Sequence, residues 1–141
     1  MAPREENLVL IKKFWKDLYK RDFDLVGSYF APDGRYQDVP APDDGAVGPA
    51  EVARRLRIGL EPIDGYVHHL HRMVADDDTV MTEHTEDWHW KTGEKVSLPF
   101  VSVHVIEAGK IKLWRDYWDI ATLMSGAPQW WIDHIMANNY K

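Results

Sequence analysis

The chain has 141 residues, a length that favours one compact domain over residues 1–141 and is enough to bury a core without disulfide staples. Hydrophobic residues at 45% and charged residues at 28% argue against disorder, and the absence of cysteine excludes disulfides, cysteine-ligated metals and thiol catalysis. A net charge of −6, from 17 basic and 23 acidic residues, offers no basic surface for nucleic acid, no apolar run approaches the ~20 residues of a membrane span, and the start MAPREEN lacks a signal peptide's apolar stretch. A soluble, cytoplasmic protein is expected, with neither nucleic acid nor a membrane as partner.

From Glu5 to Lys20, Leu8, Ile11, Phe14, Trp15, Leu18 and Tyr19 recur at helical spacing with lysines opposite, which predicts an amphipathic helix lying on a core. Asp22 or Asp24 can cap a short second helix over 23–30, ended by the Pro32-Asp33-Gly34 turn, and a short strand over 35–39 follows. Pro40 to Gly48 is rich in proline and glycine and reads as a surface loop; Pro49 then suits the first turn of a third helix ending near Leu60. Beyond Asp64-Gly65 the texture changes to strands. Segments 66–75 and 80–90 flank Asp76-Asp77-Asp78 as one hairpin, and 96–106 and 110–118 flank Glu107-Ala108-Gly109 as a second, with a three-residue connection. The tail from Asp119 carries Pro128 to Met136 at helical spacing. Helices first and hairpins after predict an α+β fold: a curved, largely antiparallel sheet wrapped around the N-terminal helices in a cone that encloses a ligand cavity.

Strand alternation sorts the side chains into two faces. One selection is chemically coherent: Tyr36, Asp38, His84, Glu86 and Asp116, surrounded by Trp88, Leu98, Phe100, Trp114 and Trp118. It would place a few convergent polar groups in an aromatic-lined pocket, the usual anatomy of a small-molecule site. Periodicity alone does not choose which face points inward. If this one does, Asp116 between Trp114 and Trp118 is a costly buried charge, and costly buried carboxylates mark functional sites.

Three segments supply further information. Tyr36-Gln-Asp-Val-Pro-Ala-Pro42, Thr82-Glu-His-Thr-Glu86 and, most specifically, Gly109-Lys-Ile-Lys-Leu-Trp-Arg-Asp-Tyr-Trp-Asp119 resemble segments of the limonene-1,2-epoxide hydrolase family, within the wider nuclear transport factor 2-like, or SnoaL-like, cone-shaped fold. The order of elements is similar over roughly residues 5–125. The resemblance implies that the face described above looks inward, and it implies roles. Asp116 becomes the base that activates a water held with Tyr36 and Asp38, and Glu86 becomes the acid that protonates an opening epoxide. His84 stands where the family carries an arginine linking the two carboxylates, and Asp38 where it carries asparagine. The first change replaces a permanent cation by a titrating ring, so the charge balance of the site is rebuilt.

The residues themselves point to cofactor-free general acid–base chemistry. Neighbouring buried carboxylates do not all ionise cheaply, and His84 could exchange a proton with Glu86 or Asp116. The leading expectation is hydration of an epoxide on an apolar, aromatic small molecule, with Trp88, Trp114 and Trp118 as its wall. The runner-up is a lyase or dehydratase that eliminates water or formaldehyde from a hydroxylated aromatic, and a non-catalytic binding module of the same fold is a third reading. The cluster His68-His69-x-His71 lacks the spacing of a metalloenzyme motif, so no metal is expected; His69 and His71, on one face, are the candidates to reach the cavity from the neighbouring strand. The Trp130-Trp131 pair is assigned to the cavity mouth or to a subunit interface, and a homodimer is the expected assembly.

Overall fold

The computed structural model describes residues 3–139, so both extremes of the expected domain, residues 1–2 and 140–141, lie outside the described residues. Helix α1 spans Pro3–Tyr19, with Glu5 and Glu6 in its first turn and Lys16 in its last, the charge order that the helix dipole favours. Asp22 caps the short α2 (Phe23–Gly27) by accepting from the Leu25 N–H. The first strand, β1 (Phe30–Asp38), begins earlier than the sequence suggests. Pro32-Asp33-Gly34 does not separate a helix from a strand but sits within β1, where the pairing with its neighbour shifts between Phe30 and Arg35. The loop after it contains a two-residue strand, β2 (Ala46–Val47), and α3 (Pro49–Leu60) starts at Pro49 as expected.

Four long strands follow: β3 (Gly65–Asp76), β4 (Thr79–His89), β5 (Lys95–Glu107) and β6 (Lys110–Trp118). Glu107 pairs directly with Lys110, so the second hairpin turns on two residues, Ala108 and Gly109, both at positive φ. The tail forms α4 (Ile120–Gly126), capped by the Asp119 carboxylate, and α5 (Gln129–Asn139). No described helix is long and apolar enough to cross a membrane.

The strands form one curled sheet in the order β2-β1-β6-β5-β4-β3, antiparallel throughout except for β1 alongside β6. That parallel pairing sets Tyr36 beside Trp114 and Asp38 beside Asp116. The backbone reversal at Gly45 holds β2 against β1; φ there is +86°, and a Cβ would lie 2.0 Å from the Tyr36 carbonyl oxygen, so only glycine lets the loop close over this strand.

The inward face is the one that the coherent selection requires. Val80, Thr82, His84, Glu86 and Trp88 of β4 are buried, while Met81 and Glu83 on the other face are exposed. On β5, Val96, Leu98, Phe100, Ser102 and His104 face inward in the same way. Helix α1 lies across this face with Phe14 edge-on to Trp114 at 4.9 Å and Trp15 edge-on to His84 at 4.6 Å. Burying each such ring is worth about 2–3 kcal/mol by area, and the ring pairs add about 1 kcal/mol more. Their rigidity fixes the positions of the polar groups between them.

Candidate active site

Between the sheet, α1, α3 and the tail helices lies a cavity of about 100 Å³. Trp88, Leu98, Phe100, Trp114 and Trp118 contribute apolar walls from the sheet, and Trp15 adds one from α1. Leu123 of α4 and Trp131 of α5 close the remaining side. Trp131 packs against Trp88 and Trp90 at 5.8 and 5.5 Å, with its indole N–H on the Gly59 carbonyl at 2.9 Å. Of the tryptophan pair in the tail, Trp131 therefore lines the cavity, whereas Trp130 points away and bonds Thr92. The polar lining is Tyr36, Asp38, Arg55, Glu86 and Asp116.

Asp116 is buried, and its Oδ1 accepts two hydrogen bonds, from Ser102 Oγ at 2.5 Å and from Trp114 Nε1 at 2.6 Å. Both donors support the ionised form. Burial opposes it more strongly, with the charges of Asp38 and Glu86 acting in the same direction, so the carboxyl is held well above the usual aspartate range. Trp114 thus both walls the cavity and grips the carboxylate.

Asp38 sits beside Asp116 in a different environment. Its Oδ1 accepts from Tyr36 Oη and Trp118 Nε1, each at 3.1 Å, and its Oδ2 lies 3.3 Å from Arg55 Nη2. The same guanidinium holds Asp43 at 2.5 and 3.1 Å. Burial raises the Asp38 pKa, and Arg55 is the largest influence holding it down. Tyr36 is stacked on Trp114 at 3.8 Å, which fixes its hydroxyl over this corner.

Glu86 faces the cavity from β4 without a cation. Its partner is the Tyr19 hydroxyl from the last turn of α1, which donates to Oε2. Burial pushes the Glu86 pKa up to about 7, and the phenol only partly opposes this. A glutamic acid that keeps its proton near neutrality is suited to general acid work.

The structure corrects two histidine assignments. His84 is buried on the expected face but does not line the cavity. Its ring stacks on Phe100 at 3.4 Å, its Nε2 contacts Ser102 Oγ at 2.9 Å and its Nδ1 contacts His68 Nε2 at 2.7 Å. It is therefore linked to Asp116 through Ser102 and does not bridge Asp116 and Glu86. Burial lowers its pKa to about 2, which leaves the ring neutral. His69 and His71 do not reach the cavity either: both are exposed, on Asp87 at 2.7 Å and Thr85 at 2.8 Å respectively.

A β-bulge explains the exchange. Near the hairpin, Asp76 pairs with Thr79 and Arg72 with Glu83, a register that carried on unbroken would set His71 opposite His84 and His69 opposite Glu86. The pairing slips by one residue between Leu70 and Arg72, so His68 lies opposite Glu86 instead. Among the described residues no group of three or more His, Asp or Glu is arranged to hold a metal ion.

Arg55, Tyr19, Ser102 and His68 are the polar members that the sequence reading missed. Arg55 had a visible signal: it occupies the buried stripe of α3 with Val52, Leu56 and Leu60, where an unpaired cation would be very costly. Ser102 alternates with Phe100 and His104 on the inward strand face, which places a hydroxyl in an otherwise large-residue row.

A sheet curled around helices, with paired carboxylates inside the cone, defines a class of α+β ligand-pocket proteins. Residues 11–114 match the model of the SnoaL-like domain family. A relative, the epoxide hydrolase EphG of Mycobacterium tuberculosis, is 30% identical over 119 residues, which are 82% of this chain and 75% of the relative. The solved structure of an LEH-like epoxide hydrolase from M. tuberculosis superposes with a TM-score of 0.74 at 27% identity, covering 89% of this chain and 91% of that one. A Jannaschia sp. CCS1 protein assigned as a SnoaL-like polyketide cyclase has a TM-score of 0.80 at 13% identity over 91% and 96% of the two chains, a likeness of fold alone. The chain belongs to the SnoaL-like family, on its limonene-1,2-epoxide hydrolase-like branch.

Proposed function

We propose that this protein adds water to an epoxide carried on an apolar, aromatic small molecule. The observation that carries the reading is that Glu86 and Asp116 line one aromatic-walled cavity, neither in an ion pair among the described residues, with Asp116 Oδ1 gripped by two donors and Glu86 bonded to the Tyr19 phenol. Asp116 is the base. It takes a proton from a water positioned with Tyr36 and Asp38 while the water oxygen bonds to one epoxide carbon. The carbon–oxygen bond breaks, and Glu86, the acid, transfers its proton to the departing oxygen. The diol leaves, and the extra proton on Asp116 returns to Glu86, so protons balance over the cycle. Burial makes Asp116 a strong base once ionised, and keeps Glu86 protonated until it is needed.

Two rival readings lose support from the same geometry. Elimination from a hydroxylated aromatic calls for a histidine able to exchange a proton with substrate, and among the described residues no histidine lines the cavity. A binding module would hold Glu86 and Asp116 in ordinary ion pairs, and the described residues form none with either. The test is turnover of aryl and aliphatic epoxides in heavy-oxygen water. One labelled oxygen per diol is expected, with catalytic efficiency more than about tenfold higher for the aryl series, the scale of burying one ring against the wall. Absence of label, or reaction only with aryl diols, would favour elimination.

A further inference from the structure

A continuous chain of hydrogen bonds runs from the edge of the sheet to Asp116 without entering the cavity. His68 Nε2 lies 2.7 Å from His84 Nδ1, His84 Nε2 lies 2.9 Å from Ser102 Oγ, and Ser102 Oγ lies 2.5 Å from Asp116 Oδ1. The inner members are fully enclosed: His84 and Ser102 are 1% and 0% exposed, with Trp15 and Phe100 against the imidazole. The outer member is only half-buried, and its Nδ1 has no partner among the described residues. Tyr19 stacks on the His68 ring at 4.4 Å and fixes its plane.

The donor count of this chain leaves it two states. Ser102 has one hydrogen, and a neutral imidazole has one N–H. When Asp116 is ionised it can only accept, so Ser102 donates to it. His84 must then carry its hydrogen on Nε2 and donate to Ser102, and His68 donates from Nε2 to His84 Nδ1. When Oδ1 of Asp116 carries a proton toward Ser102, every bond reverses: Ser102 donates to His84 Nε2, and His84 donates from Nδ1 to His68 Nε2. One proton entering at His68 Nδ1, with one hop at each link, converts the first state into the second. One proton leaving there converts it back. No ring has to turn over, and atoms balance.

We propose that His68, His84 and Ser102 form a proton relay that connects Asp116 to solvent at the sheet edge, and that the tautomer of His84 is locked to the protonation of Asp116. In functional terms this rests on reading Asp116 as the base: the relay lets that carboxyl equilibrate with solvent while substrate fills the cavity. His84 and Ser102 are then positioning residues. The neighbouring titratable groups are His71 and His104 around His84; His69, His71, Tyr19 and, across the strand pair, Glu86 around His68; and Asp38, Glu86, Tyr19 and Tyr36 around Asp116; among the described residues none of these is hydrogen-bonded to a relay nitrogen.

The test is nitrogen-15 histidine NMR of the unliganded protein across pH, on wild type, Ser102→Ala and Ser102→Thr. In wild type the proton on His84 is expected to move from Nδ1 at low pH to Nε2 at high pH while the ring stays neutral, in step with the Asp116 carboxyl carbon signal. Ser102→Ala should uncouple the two signals, and Ser102→Thr, which keeps the hydroxyl, should preserve the coupling. On an epoxide, Ser102→Ala should lower kcat/KM at neutral pH about tenfold, through loss of a hydrogen bond that favours the carboxylate. A wild-type His84 that keeps one tautomer throughout, or that becomes a cation as Asp116 titrates, overturns the relay whatever the variants do. A tautomer that follows Asp116 in a protein that opens no epoxide leaves the relay standing and removes the hydrolase reading. Epoxide opening that needs Asp116, with a fixed His84 tautomer, does the reverse.

Discussion

The two ends of the inward sheet face accommodate buried polarity by different means. At the β1 end, Asp38 is compensated by a permanent cation, Arg55, which also binds Asp43. At the β4 end, Glu86 has no cation beside it among the described residues; it accepts from the Tyr19 phenol, and its neighbours Tyr19, His68 and His84 are hydrogen-bonding groups that burial keeps neutral. Asp116 lies between these ends, beside the charged corner in the sheet and bonded to the neutral one through Ser102. The contrast shows two ways of carrying a buried carboxyl. Arg55 offsets part of the cost of burying Asp38, whereas Glu86, remote from that guanidinium, has its pKa pushed up by burial to about 7.

Removing the cation should have the largest effect. Arg55→Met leaves Asp38 and Asp43 without their shared partner, and breaking a buried pair from one side costs about 3–5 kcal/mol. Denaturant unfolding at pH 7 should show that loss, with part of it recovered at low pH as the orphaned carboxylates take protons. An unchanged midpoint would mean that Arg55 is not the charged corner's anchor. Next, Asp38→Asn removes the negative charge beside Asp116. Because that charge helps hold the Asp116 carboxyl high, the rise of kcat/KM on its acid side should move down by about one pH unit. A profile that stays in place would show that the two carboxyls do not interact.

The smallest effect belongs to the neutral end. Glu86 acts as an acid only while protonated, so activity should fall as pH rises through about 7. The Tyr19 hydroxyl stabilises the carboxylate; Tyr19→Phe should therefore move this fall to higher pH, by less than about one unit. A shift to lower pH would contradict the hydrogen bond's assigned direction.

These variants also divide what the sequence displays from what it hides. The faces of β4, β5 and β6 follow from alternation, and so do the aromatic walls and the carboxylates between them. The histidines of β3 do not, because a bulge adds one residue and reverses the face on either side of it, and no residue type announces the bulge. Arg55 and Tyr19 come from helices, where the sheet's period of two gives no guidance. Each could be found only by asking why a cation or a phenol sits on a buried stripe. His84 lies on the face that alternation predicts but behind the cavity wall: alternation orders side chains across a sheet and does not say which of them a neighbour such as Phe100 covers.

Asp116 is the group on which the proposed chemistry depends most directly. Its carboxyl is held by Ser102 and Trp114, lies beside Asp38 and faces the cavity, so Asp116→Asn keeps the shape and removes the base. The decisive measurement is epoxide turnover by this variant, taken with circular dichroism and thermal unfolding of the same sample. If Asp116 is the base, the variant is a folded protein whose kcat is at least about 100-fold lower, the scale of losing a general base. A folded Asp116→Asn protein that turns over at the wild-type rate would contradict that role.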